Sequence, residues 1–167
     1  MDNKSGSEYR TVRGYQIVNY QENKLTPAME DYMEMACRLC LENGYTRINK
    51  LAELLNVRPS SASKMIAKLS ELGYLQYDLY ESILLTEKGK ETGTYLLYRH
   101  NTVEQFLRLI GNNTPLEETE LIEHSLNVST VLQLHTLLNF FAQNVAVQES
   151  FETFKKAAKE NPASPGL

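Results

Sequence analysis

The chain has 167 residues, 42% hydrophobic and 23% charged, with a net charge of -4 and a pI near 5.5. That is the composition of an ordinary soluble globular protein, long enough for one domain or two small ones, and it carries no global basic signal for nucleic acid. No apolar run approaches the ~20 residues of a membrane span, and the N-terminus lacks the apolar core of a signal peptide, so no membrane association and a cytoplasmic location are expected.

Residues 1–24 are polar, rich in tyrosine and weakly patterned. They read as an arm that is flexible or orders late, with a short strand at "YQIVNY". The first clear helix follows in "TPAMEDYMEMACRLCLENG". Thr26 can cap it, Pro27 suits its first position and Gly44 ends it. Met29, Tyr32, Met33, Ala36, Leu39 and Cys40 form its apolar stripe at helical spacing. Cys37 and Cys40 are the two cysteines of the chain. A zinc site would want a second pair or histidines at fixed spacing, and a thioredoxin-like motif would want a strand ahead of its helix. Buried structural thiols are the expected reading.

"TRINKLAELLNVRPSSASKMIAKLSELGYLQY" holds two short amphipathic helices. Ile48, Leu51, Leu54 and Leu55 face inward in the first, which ends near Asn56. Ser60 or Ser61 can cap the second, which carries Met65, Ile66, Leu69 and Leu72 and is closed by Gly73. Two short helices about a tight turn make a helix-turn-helix. "YLQYDLYESILLT" then reads as two strands about a turn near Leu79–Ser82, the wing of a winged helix.

Between Glu53 and Glu71 there is no acid, yet Arg58, Lys64 and Lys68 are present. Pro59, Ser60, Ser61 and Ser63 stand at the start of the second helix, where backbone N–H groups and the helix dipole attract phosphate. With Arg47 ahead of the first helix, these residues are the candidate contacts to double-stranded DNA in the major groove. The plainer alternative is a solvated cationic face.

Glu87 to Ile110 is helical again and Gly111 to Pro115 breaks it. A short helix is expected over Leu116–Leu126, and a long apolar one from Val128 to about Val147. A short charged helix and the frayed "NPASPGL" end the chain. Asp31 and Glu34 fall at i, i+3 on the flank of the first helix. His100 lies in a largely apolar helix, with Glu104 one turn on. "ELIEH" puts Glu120, Glu123 and His124 on one helical face. Carboxylates crowded with imidazoles and without thiolate can be neutralised by a hard-to-borderline divalent cation, Mn2+ or Fe2+ rather than structural zinc. The set could satisfy one octahedral ion or two ions bridged by shared carboxylates. Taken one at a time, Glu120 and Glu123 read more readily as a solvated face and His100 as a core histidine, and it is their combination that weighs towards a metal.

From Leu25 to about Gln143 the chain resembles the diphtheria toxin repressor family of metal-dependent transcription regulators, and within it the manganese transport regulator branch. "TPAMEDYME", "RPSSASKMIAKL", "LTEKGKETGTYLLYRH", "VEQFLRLIG" and "ELIEHSL" carry the resemblance, in order. It implies that Asp31, Glu34, His100, Glu120, Glu123 and His124 fall on the family's metal-ligand positions. Asp31 stands where iron-responsive members typically place methionine, and a hard carboxylate there tilts the site towards manganese. The resemblance further implies a homodimer, with the apolar Val128–Val147 stretch as its interface. Two features depart from the pattern. The wing turn carries Asp78 and Glu81 where relatives offer basic residues, and the arm, with Lys4, Arg10 and Arg13, is long enough to reach DNA or the partner subunit.

The resulting expectation is a mostly α protein. It has an arm over 1–24, a winged helix-turn-helix domain over 25–94, a helical metal-binding and dimerisation domain over 95–160 and a frayed tail over 161–167. Its expected function is manganese-activated, sequence-specific repression of metal-uptake genes. An iron-dependent regulator of the same fold, a metal-independent winged-helix regulator and a dinuclear-metal hydrolase are the alternatives.

Overall fold

The computed structural model describes residues 25–78 and 82–160. The arm with its expected strand, the wing-turn residues 79–81 including Glu81, and the tail lie outside the described residues. The described residues are mostly α, with one small two-stranded sheet.

Helix α1, Pro27–Asn43, begins where the sequence places it. Thr26 is extended and accepts from the Met29 N–H, Pro27 occupies the first turn, and Gly44 takes the left-handed conformation at φ 82°. Its buried face is Met29, Tyr32, Met33, Ala36, Cys37 and Leu39, with Cys40 at the margin. Helix α2, Ile48–Leu54, follows, then Asn56 at φ 52° makes the tight turn into α3, Pro59–Glu71. Leu54, read as core, is exposed instead, and Leu51 and Ala52 supply the buried face of this short helix.

The expected serine cap of α3 is corrected. Arg58 is the N-cap residue, without a side-chain cap bond, and Pro59 starts the helix. Proline fixes φ and lacks the N–H that the first turn would leave unpaired, so the helix starts ahead of both serines. Strands β1, Leu75–Tyr77, and β2, Ile83–Leu85, pair antiparallel with Leu75 opposite Leu85. Thr46 adds a bridge to Ile83 through backbone bonds of 3.0 and 2.8 Å. Asp78 closes the wing, its Oδ1 accepting from the Ser82 N–H at 2.8 Å.

Helix α4 spans Glu87–Ile110. Thr86 caps it, with Oγ1 accepting from the Gly89 N–H at 3.0 Å and donating to the Gly73 carbonyl at 2.6 Å. The core of this half joins Met33, Leu51, Ile66, Leu69, Leu75, Ile83 and Leu96. Each such aliphatic side chain contributes ~1.5–3 kcal/mol on burial.

The chain divides into two compact units between Leu97 and Tyr98, inside α4. The second unit holds the rest of α4, then α5, Pro115–Ile122, a 3-10 turn over Glu123–Ser125, α6, Val128–Gln143, and α7, Val145–Glu160. The single apolar helix expected to about Val147 is two helices, because Asn144 leaves helical geometry at φ -126° and ψ 73°. Asn127 caps α6 by accepting from the Thr130 N–H at 2.8 Å. Lys155 of α7 donates to the Leu109 carbonyl at the end of α4, at 2.7 Å. Among the described residues no helix is long and apolar enough to cross a membrane.

Candidate metal centre and nucleic-acid face

His100 projects from α4 and is buried. The helix expected over Leu116–Leu126 stops at Ile122, and the backbone tightens into the 3-10 turn that carries Glu123 and His124. The single helix expected there is thus two pieces, while Glu120 and Glu123 still face His100 together. At three residues per turn, positions i and i+3 stay in line, and the two glutamates differ in depth rather than in face. Glu120 stays 57% exposed, while Glu123 falls to 1%. Both still reach the same imidazole, with His100 Nδ1 3.1 Å from Glu123 Oε1 and 3.7 Å from Glu120 Oε1. The solvated-face reading therefore fails for Glu123.

A carboxylate this deep in protein needs compensating charge. Arg99, beside His100 and equally buried, donates from Nε to Glu123 Oε2 at 3.3 Å. Its Nη2 stands 3.1 Å from His124 Nδ1. Sequence reasoning missed Arg99 as part of the site. A signal was present, since Leu96, His100, Val103 and Leu107 mark the buried stripe of α4 and Arg99 lies three residues after Leu96 on it. His135, the remaining histidine, packs its ring 5.0 Å from that of Tyr98 instead.

Asp31 and Glu34 belong to the other unit and are half-buried on α1. Glu34 Oε1 accepts from Arg38 Nε at 3.2 Å and Nη2 at 2.8 Å, one helical turn on. Within the second unit the structure thus gathers His100, Glu120 and Glu123, with His124 linked to them through Arg99, and within the first Asp31 and Glu34 lie three residues apart on α1. The donor set of the second unit is oxygen and imidazole nitrogen, with the carboxylates of Glu120 and Glu123 against the one guanidinium of Arg99. It fits a hard-to-borderline divalent cation.

The thiols stay out of this chemistry. Burial is the main cause that raises the Cys40 thiol to about 11, reinforced by Cys37 and opposed by a backbone hydrogen bond from Leu85. Cys37 is raised too, again mainly by burial. Both cysteines are free, so they are protonated packing groups.

On the first unit, α3 buries Ala62, Ile66 and Leu69 and turns a polar face outward. Arg58, Pro59, Ser60, Ser61, Ser63, Lys64 and Lys68 are all exposed. Arg47, ahead of α2, is exposed as well, with its guanidinium 5.8 Å from the Tyr45 ring centre. The α3 N-terminus thereby presents cations and hydroxyls, free of local acids, in the manner of a helix that enters the major groove.

Comparison with known proteins matches both halves. Residues 24–83 fit the family model for the iron dependent repressor N-terminal DNA binding domain, and residues 86–151 fit that for the iron dependent repressor metal binding and dimerisation domain. The HTH-type transcriptional regulator MntR of Geobacillus thermodenitrificans is 41% identical over 133 residues, covering 78% of this chain and 94% of that protein. The solved manganese regulator SloR superposes with a TM-score of 0.62 at 29% identity, and the crystal structure of T. acidophilum IdeR with 0.61 at 26%. Each match covers 70% of this chain, which spans 55% of the solved chain in both cases.

Proposed function

Because the chain belongs to the iron-dependent repressor family, with that family's DNA-binding and metal-binding and dimerisation halves in order, we propose that it is a homodimeric, manganese-activated DNA-binding repressor of metal-uptake genes. The observation that carries this reading is the all-oxygen-and-nitrogen donor set built on the buried His100–Glu123 pair. Asp31, Glu34, His100, Glu120, Glu123 and His124 hold the ion, or two ions that share carboxylates. Bound there, a divalent cation supplies the charge that lets four carboxylates share one site.

Asp31 and Glu34 ride on α1, which packs against the reading helix through the core of the DNA-binding unit. The other four ligands ride on the second unit. Joint ligation by the six therefore restrains each reading head relative to the dimerisation half. Heads held at the half-site spacing of a pseudo-palindrome meet DNA without a further ordering cost. Linkage then requires DNA to tighten metal binding by the factor by which metal tightens DNA binding. Apolar side chains left exposed on α6, Leu132 and Phe140 among them, suit the dimer interface.

Manganese is favoured over iron by the hard carboxylate of Asp31, and by the names of two relatives, MntR and the manganese regulator SloR. The test is fluorescence anisotropy on a labelled palindromic operator from the protein's own promoter region, titrated with Mn2+ and then anaerobically with Fe2+. Tight binding with Mn2+ alone is expected. Equal binding in chelator would remove the metal from the mechanism, and preference for Fe2+ would make the protein an iron regulator of the same fold.

A further inference from the structure

The site contains a cation of its own. Arg99 keeps 4% of its side-chain exposure, against 39% for Arg38, the arginine that pairs with Glu34. Burying a guanidinium this completely is costly unless its donors are matched. Nε is matched by Glu123 Oε2 at 3.3 Å, and Nη2 faces His124 Nδ1 at 3.1 Å. A guanidinium has donors, no acceptor, and stays charged in proteins. Nδ1 of His124 is consequently the acceptor in that contact, and the proton of the neutral imidazole sits on Nε2.

This arrangement is incompatible with ligation by His124 through either nitrogen. A metal at Nδ1 needs the lone pair that Arg99 uses. A metal at Nε2 needs that nitrogen stripped of its proton, which places an N–H on Nδ1 facing the guanidinium N–H. Glu123 differs, because a carboxylate has about four lone-pair sites and can keep Arg99 while it binds a cation. The conflict is confined to His124.

We propose that Arg99 is an internal competitor for the divalent ion, holding Glu123 and His124 together until metal displaces it from His124 and so raising the metal concentration at which the protein responds. The inference rests on the metal site proposed above and deepens it. Its physical basis is direct: a fixed positive charge in contact with Glu123 and His124, in a poorly solvated site, would oppose the binding of a divalent cation by those residues. Arg99 is a positioning residue in this scheme and ligates nothing.

The test is isothermal titration of the full-length protein with Mn2+, comparing wild type with Arg99→Met and Arg99→Lys, alongside long-range proton–nitrogen spectra of the imidazoles in chelated wild type. Removing the charge should tighten Mn2+ binding by about tenfold or more. Arg99→Lys keeps the charge but loses the planar fork, so it should give a smaller gain, and it decides the matter if Arg99→Met does not fold. The spectra should show His124 with its proton on Nε2. Folded variants that bind Mn2+ no tighter than wild type, or a His124 proton on Nδ1, would overturn the competitor role while leaving the metal site standing. Wild type that binds no Mn2+ at all would overturn both.

Discussion

His100 Nδ1 and Glu123 Oε1 lie 3.1 Å apart across 23 residues of sequence, and both side chains are almost wholly buried. A contact of this kind anchors the 3-10 turn to α4, so a ligand bound by either residue acts on a fixed frame. Removing the acid alone should be costly, since Glu123→Ala leaves Arg99 buried without its carboxylate, at ~3–5 kcal/mol. His124→Ala, at a half-buried position, tests ligation with less structural damage. It should abolish manganese-dependent operator binding and leave the dimer intact by light scattering. Undiminished operator binding by His124→Ala at matched Mn2+ would sink the ligand assignment.

Lys64 stands on the exposed face of α3, opposite Ile66 and Leu69 in the core. Lys64→Ala should leave stability within about 0.5 kcal/mol of wild type and Mn2+ affinity unchanged. Operator affinity should fall. If Lys64 neutralises one phosphate, the slope of log affinity against log salt should shrink by about 0.9, whereas loss of a base contact lowers affinity at one operator position. Operator affinity that is unchanged at several salt concentrations would mean that α3 is not the reading helix.

What the sequence made legible follows from locality. Thr26, Pro27 and Gly44 bound α1 through interactions within a few residues, and α4 spans Glu87–Ile110 as its helical pattern predicts. Spacing brought out the six candidate ligand positions but left the solvated-face reading of Glu123 open, and the resemblance weighed against that reading. Two features were hidden for physical reasons. The switch from α-helix to 3-10 at Glu123 replaces no residue type that marks a stop, and Asn144 interrupts an apolar pattern that Val145 and Val147 continue. Arg99 was missed because its partner lies 24 residues away, and a long cation on a helix reads as solvated until that partner is placed.

Gly93 tests how α4 seats against α1 within the DNA-binding unit. A Cβ there would come within 2.6 Å of Cys37 Cβ and 2.8 Å of its Sγ. Gly93→Ala should therefore destabilise by ~1–3 kcal/mol through overpacking, despite the better helix propensity of alanine. Adding Cys37→Ala removes the sulfur but keeps the closer Cβ, so the double variant should recover little of the loss. Full recovery in denaturant titrations would show that only the sulfur was crowded.

The cysteines give a pH prediction with a definite sign. Burial, and next to it the neighbouring Cys37, raises the Cys40 thiol from its ordinary 9.0 to about 11, with the Leu85 backbone hydrogen bond acting in the opposite direction. Between those two values the unfolded chain has released a proton that the folded chain still holds. Since stability rises with pH only where the unfolded state binds more protons, stability here must fall as pH climbs. The contribution is complete below the unfolded value and lost as pH passes through the folded one. Lysines and tyrosines titrate over the same range, so the informative quantity is the difference between wild type and Cys40→Ala. That difference should shift against wild type from about pH 9 upward and be flat below. The folded protein at about pH 8 should likewise resist alkylation at both thiols, since the thiolate is the reactive form. Rapid modification of Cys37 and Cys40 under those conditions would mean that the pair carries thiolate character and is more than packing.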